Sequence, residues 1–261
     1  MSFLQTDTKN QRLLGILGGL GPMASIYFCE MLISHTAAQK DSDHLNFLLS
    51  SRADTPDRSS FILGLSNDDP TPAMTAEAAR LERAGADIIA IPCNTAHYFY
   101  DAICDAVKLP ILNIITETAR YCKSSGAKKI GVLATEGTAA SGAYEKFLDE
   151  YSIDVIPLTK DEQNTVSNII FGQIKKGLAP DVDALLSIVC ALRERGAELI
   201  VLGCTELSLI KKQFPLPEYI VDSLELLALS AITALGKTPT GFDSSVMSFY
   251  ASQKSKGKDV L

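Results

Sequence analysis

Short aliphatic runs without a polar break recur along the chain, separated by longer stretches in which apolar positions return at helical spacing. Runs at 13–17, 45–51, 88–91, 111–115, 130–133, 154–156, 199–202 and 220–221 read as strands. Those with no alternation, 88–91 above all, suit a parallel sheet covered on both faces. Between them the spacing predicts helices over about 23–36, 73–84, 96–107, 116–125, 144–151, 162–176, 181–195 and 223–235. Strand and helix in alternation is the pattern of an α/β fold. Residues 1–11 are polar and 241–261 rich in Ser and Lys, and both are expected to be mobile tails.

The strand at 88–91 runs into a turn that can carry chemistry. Pro92 closes it, Cys93 follows, and Asn94 and Thr95 are cap-type residues before the next helical pattern. The same arrangement returns 111 residues later, where Leu199-Ile200-Val201-Leu202 leads to Gly203-Cys204-Thr205. In both copies the cysteine lies eight residues after a glycine, Gly85 or Gly196. A second correspondence, at an offset of 116, matches Gly15, Leu17, Gly21, Ala24 and Ser25 to Gly131, Leu133, Gly137, Ala140 and Ser141. The chain is therefore an internal duplication of an α/β unit. The expected architecture is two pseudo-two-fold-related α/β lobes with mainly parallel central sheets and a cleft between them. Residues 12–116 with about 215–237 are assigned to the N-terminal lobe and 117–214 to the second.

A lone cysteine is usually a small buried hydrophobe. Two at equivalent strand ends are not so easily dismissed, because open α/β sheets bind ligands at the carboxyl ends of their strands. Cys93 and Cys204 are expected to face each other across the cleft as acid and base. Opposed groups on two sides of one carbon invert its configuration: one removes a proton and the other returns one, through a planar carbanion. Lowering a thiol pKa from ~8.5 to ~7 takes about 2 kcal/mol, within reach of a helix N-terminus. The carbanion also needs hydrogen-bond donors. Gly19 and Gly21 of the glycine-rich turn, with Pro22 opening the helix behind it, and Asn94, Thr95 and Thr205 form the available set. That turn lacks the third glycine of a dinucleotide fingerprint and the Gly-Lys-Ser/Thr of a phosphate loop.

The remaining composition narrows the field. At 261 residues, 46% hydrophobic and 21% charged, the chain suits one large or two modest globular domains. A net charge of −7 without a basic stripe argues against nucleic acid, and an acid bound here needs a local cationic pocket. No apolar run reaches the ~18 residues of a membrane span, and the start carries no secretory signal, so the expected place is the cytoplasm. The six scattered cysteines read as reduced thiols, with Cys29, Cys104, Cys122 and Cys190 packed on helices. His97 stands four residues after Cys93, a metal-ligand spacing. The second copy offers Ser208 there, so no metal site is expected.

Pro92-Cys93-Asn94-Thr95-Ala96-His97, Gly203-Cys204-Thr205-Glu206-Leu207 and the 15–22 stretch ending Gly21-Pro22 resemble three signatures of the aspartate/glutamate racemase family, nearest to its aspartate racemase branch. The resemblance runs in order over roughly residues 13–235. It implies a racemase of an acidic amino acid, aspartate before glutamate, with Cys93 and Cys204 as its two bases and neither pyridoxal phosphate nor metal as cofactor. It also implies a homodimer. Pro56-Asp57-Arg58 matches the family element whose arginine holds the substrate's side-chain carboxylate, and Lys175, with Lys176 beside it, aligns with a second cationic contact. Glutamate racemases carry an Asp-Ser-Gly loop in place of residues 18–21 and a His in place of Glu206. Glu206 is read as stabilising its helix N-terminus, with an acid/base role as the alternative. A dicarboxylate isomerase or decarboxylase of the same superfamily, or a non-catalytic sensor of an acidic metabolite, remain alternatives for the whole chain.

Overall fold

Within residues 12–255, which the computed structural model describes, eight strands form two four-stranded sheets of one plan. The first unit comprises β1 (Leu13–Gly18), α1 (Pro22–Ser34), β2 (Asn46–Ser51), α2 (Arg58–Ile62), α3 (Thr71–Arg83), β3 (Ile88–Ala90), α4 (Tyr100–Asp105) and β4 (Ile111–Leu112). After α5 (Ile114–Ser125) the second unit follows. It opens with β5 (Lys129–Leu133), α6 (Glu136–Ala140), α7 (Ala143–Asp149), β6 (Asp154–Ile156) and α8 (Lys160–Ser167). It continues with α9 (Val182–Glu194), β7 (Leu199–Leu202), α10 (Ser208–Gln213) and β8 (Ile220–Asp222). α11 (Ser223–Ala234) and α12 (Ser244–Ser255) complete the described chain. Strand orders are β2-β1-β3-β4 and β6-β5-β7-β8, and every pairing is parallel. The repeat in the sequence is thus a repeat of the sheet, with the cysteines following the equivalent strands β3 and β7.

The apolar pattern accounts for this arrangement. Ile88, Ile89 and Ala90 of β3, and Ile200, Val201 and Leu202 of β7, are all buried, as strands covered on both faces must be. α11 is apolar around its whole circumference and buries nine of its 12 residues, the mark of an enclosed helix. It packs on α1 and α5 and carries one core across the molecule, from Leu14 and Phe28 through Leu227 to Ile130 and Tyr144.

Three expectations need correction. Residues 215–237 do not stay with the first lobe: β8 completes the second sheet beside β7, and only α11 returns to the helices of the first unit. A three-residue strand carries too little pattern to name its partner. The 241–261 tail is not uniformly loose, since α12 buries Val246 and Phe249, the latter edge-on to Tyr121 at 5.4 Å. Residues 1–11, the other expected tail, and 256–261 lie outside the described residues. The helix expected over 162–176 is broken: α8 widens into a π-helix at Asn168–Gln173 and tightens into a 3-10 turn at Ile174–Lys176. Gly172 permits this, because a β-carbon there would lie 2.2 Å from the Asn168 side-chain oxygen. Such bulges gather at functional sites, and this one delivers Lys175.

Candidate active site

Both cysteines sit just past the carboxyl ends of β3 and β7. Each backs onto the core of its own unit, Cys93 beside Ile91 and Phe99, Cys204 beside Leu202 and Leu207. They are 7% and 5% exposed, and both line one cavity, with Arg58, Lys175, Thr205 and Glu206 also in its wall. Its volume is about 10 Å³, room for about one water. In this conformation the cavity is too small for a ligand of several heavy atoms. At its edge Ser59 of α2 donates to Thr135 at 3.2 Å and packs on Gly137.

The first turn is set from beneath by His97. Its Nδ1 bonds the Cys93 carbonyl at 2.9 Å, and its Nε2 accepts from the Ile114 N–H at 3.2 Å. That pair of contacts fixes the neutral ring with its proton on Nδ1, leaving no lone pair for a metal. Burial pushes its pKa down to about 4, against the backbone bonds that raise it. In the unfolded chain it is ~6.5. Between those values the unfolded state takes a proton that the folded ring refuses, so stability is complete above about pH 6.5 and drains as pH falls toward 4, by roughly 3 kcal/mol. His97→Gln is expected to be less stable at pH 7 by about 1–3 kcal/mol and to lose less than wild type on acidification. Denaturant midpoints from pH 7 to 4.5 measure this, and parallel profiles would refute it.

The second turn departs from expectation. Cys204 Sγ donates to Glu206 Oε2 at 3.0 Å, and Glu206 Oε1 meets Lys175 Nζ at 2.8 Å. Burial, then the Glu206 carboxylate, push the Cys204 thiol well above its ordinary pKa. Depression at a helix N-terminus therefore does not operate here: α10 begins only at Ser208 and is six residues long. Glu206 is a partner of the thiol, not a helix-end charge. Gly21 makes the space for it, since a β-carbon there would stand 2.4 Å from Glu206 Oε1. Lys175 loses stability as a cation by burial, but Glu206 and, more weakly, the two cysteines outweigh that and raise its pKa. Of the two lysines in this turn, Lys175 lines the cavity and Lys176 does not.

Arg58, 7% exposed, forms no ion pair among the described residues. Its guanidinium donates to the carbonyls of Leu20, Thr55 and Pro56, while its buried Nε has no partner. Asn94, Thr95 and Thr205 line the cavity, and none of their side chains makes a helix-capping bond, although Asn94 stands at the start of the 3-10 turn Thr95–Phe99. Asn94 holds Ser223 and Tyr144, Thr95 bonds Thr135 and Thr138, and Thr205 donates to the Pro92 carbonyl. Gly19 gives its N–H to Ser25 Oγ at 3.0 Å, Pro22 opens α1, and Leu20 is the loop residue that meets the cavity. Sequence reading passed over Phe171 and Thr135 in the wall. Thr135 was within reach, because it occupies the position that corresponds to Gly19 in the duplication. Among the described residues no group of three His, Cys, Asp or Glu is placed to hold a metal ion, and no helix is long and apolar enough to cross a membrane.

Known proteins share this frame. The broad specificity amino-acid racemase RacX of Bacillus subtilis (strain 168) is 31% identical over 231 residues, 85% of this chain and 97% of its own. The structure of Picrophilus torridus aspartate racemase superposes with a TM-score of 0.77 at 31% identity, over 88% of this chain and 96% of that one. An aspartate racemase homologue from Pyrococcus horikoshii OT3 gives a TM-score of 0.69 at 25% identity, over 87% and 99%. The Asp/Glu/Hydantoin racemase family model matches residues 17–231. The chain belongs to that family, and is an amino-acid racemase.

Proposed function

We propose that the chain racemises an acidic amino acid, aspartate first, by a two-base mechanism in which Cys93 and Cys204 work from opposite sides of the α-carbon without a cofactor. The observation that carries this reading is one cavity walled by two thiols, each at the end of the corresponding strand of a duplicated sheet. The Cys204 thiol holds its proton and hands it to Glu206 when it must act as base; Cys93 removes or returns the proton on the other face. The α-carboxylate takes up charge as the carbanion forms, and cationic and polar donors around it lower that barrier.

The acidic preference rests on the charge balance. Lys175 is neutralised by Glu206, whereas Arg58 is a buried cation in no ion pair among the described residues, and the carboxylate of Asp57 next to it in the same wall accepts from the Ser60 N–H instead. A substrate side-chain carboxylate supplies the missing counter-charge, and a charge-assisted pair contributes about 1.5–3 kcal/mol. The test is racemisation of aspartate, glutamate, asparagine and alanine in both configurations by wild type and Arg58→Lys. The lysine keeps the charge but loses the planar fork. It is expected to lower kcat/KM for aspartate by roughly 10- to 100-fold more than for asparagine. Equal losses on both substrates would mean that Arg58 only props the 52–58 loop.

A further inference from the structure

Two buried ties join the catalytic turns to each other, each starting from a residue of the cavity wall, Thr205 or Asn94. In the first, Thr205, beside Cys204, donates its hydroxyl to the carbonyl of Pro92, beside Cys93, at 3.3 Å. The second passes through residues outside the site. Asn94 Nδ2 donates to Ser223 Oγ at 3.1 Å, and Ser223 Oγ donates to the Leu202 carbonyl at 2.7 Å. Tyr144 closes the set by donating its hydroxyl to Asn94 Oδ1 at 2.7 Å. Asn94, Ser223 and Tyr144 are all at most 2% exposed, so no water substitutes for these partners.

The topology gives the ties their meaning. Asn94 follows Cys93 in the first unit, and Leu202 stands two residues before Cys204 in the second. Ser223 opens α11, the helix enclosed between the units, and Tyr144 lies on α7 of the second. Both ends of the Asn94 amide are thus held by residues from beyond its own unit. The Tyr144 ring also packs under the second turn, since a β-carbon on Gly203 would lie 3.2 Å from its Cε2. Resting on the two-thiol reading, we propose that Ser223 and Tyr144 are positioning residues that fix the placement of Cys93 relative to Cys204 through the Asn94 side chain. Two-base inversion requires both sulfurs to reach one carbon, and displacement by about 1 Å costs on the order of 10²-fold in rate.

Ser223→Ala removes an acceptor from Asn94 and a donor from Leu202; Tyr144→Phe removes the donor to Asn94 Oδ1. Each folded variant is expected to lose roughly 10- to 100-fold in kcat for racemisation with KM within about threefold of wild type. The distinguishing readout is in heavy water: exchange of the α-hydrogen without inversion should rise several-fold relative to inversion, because one thiol still reaches the carbon while the other misses. Ser223→Thr keeps the hydroxyl and should restore the wild-type ratio. Where Ser223→Ala does not fold, Tyr144→Phe carries the test alone. Wild-type kcat and exchange ratio in the folded variants would overturn the positioning role. Cys93→Ala and Cys204→Ala run alongside: if these retain full activity, the two-thiol reading itself fails, whatever Ser223 does.

Discussion

Cys93→Ala and Cys204→Ala should each lower racemisation by at least about 10³-fold, toward the upper end of what a positioned acid or base contributes. The expectation follows from the shared cavity: either thiol alone can take a proton from the face it meets, but none is left to deliver one to the other face. Alanine leaves only a small gap behind a side chain that is already small, so folding survives. The two variants should also be complementary. Each retains slow exchange of the α-hydrogen for one enantiomer only, the one whose hydrogen points at the remaining sulfur. Chiral chromatography measures the inversion and proton NMR in heavy water the exchange. Full inversion by either variant would eliminate the two-base mechanism.

Glu206→Gln is expected to lower kcat/KM by about 10²-fold, by withdrawing the group that accepts the Cys204 proton at 3.0 Å. It also strips Lys175 of its counter-charge, leaving a second uncompensated cation in the wall. The loss must be equal in the two directions. Enantiomers have the same free energy in water, so the ratio of forward to reverse kcat/KM stays at unity in every variant. Asymmetry therefore shows in kcat and KM taken separately, with the larger fall in kcat for the enantiomer whose α-hydrogen faces Cys204. The same change takes away the carboxylate that helps hold the Cys204 thiol above its ordinary pKa, after burial itself. Thiolate absorbance should accordingly grow in at lower pH than in wild type. A variant with wild-type kcat and an unmoved thiolate titration would show Glu206 to be structural.

The placement of the two cysteines, past equivalent strands and on one cavity, was legible in the sequence because the chain states that strand twice. A buried run such as Leu199-Ile200-Val201-Leu202 can be recognised without knowing its neighbours. The thiol's environment was not legible in the same way. The place of Glu206 beside Cys204 depends on Gly21, in the other unit, where a β-carbon would stand 2.4 Å from the second carboxylate oxygen. Local reasoning sees a helix start there and expects a lowered thiol pKa, whereas burial governs and raises it. Asn94 shows the same limit: a cap by residue type, it spends its amide on Ser223 and Tyr144, whose nearness only the folded chain creates. Strand β8 was misassigned for a related reason, since pairing with β7 is settled by the tertiary core.

The most direct measurement is a short incubation of L-aspartate alone with the enzyme in heavy water, with deuterium at the α-carbon counted separately in each enantiomer. Opposed sulfurs, one abstracting and the other delivering a solvent-derived proton, give D-aspartate carrying one α-deuterium while the remaining L-aspartate stays protiated. D-aspartate that keeps its original hydrogen, or label entering the L pool as fast as inversion proceeds, would contradict it.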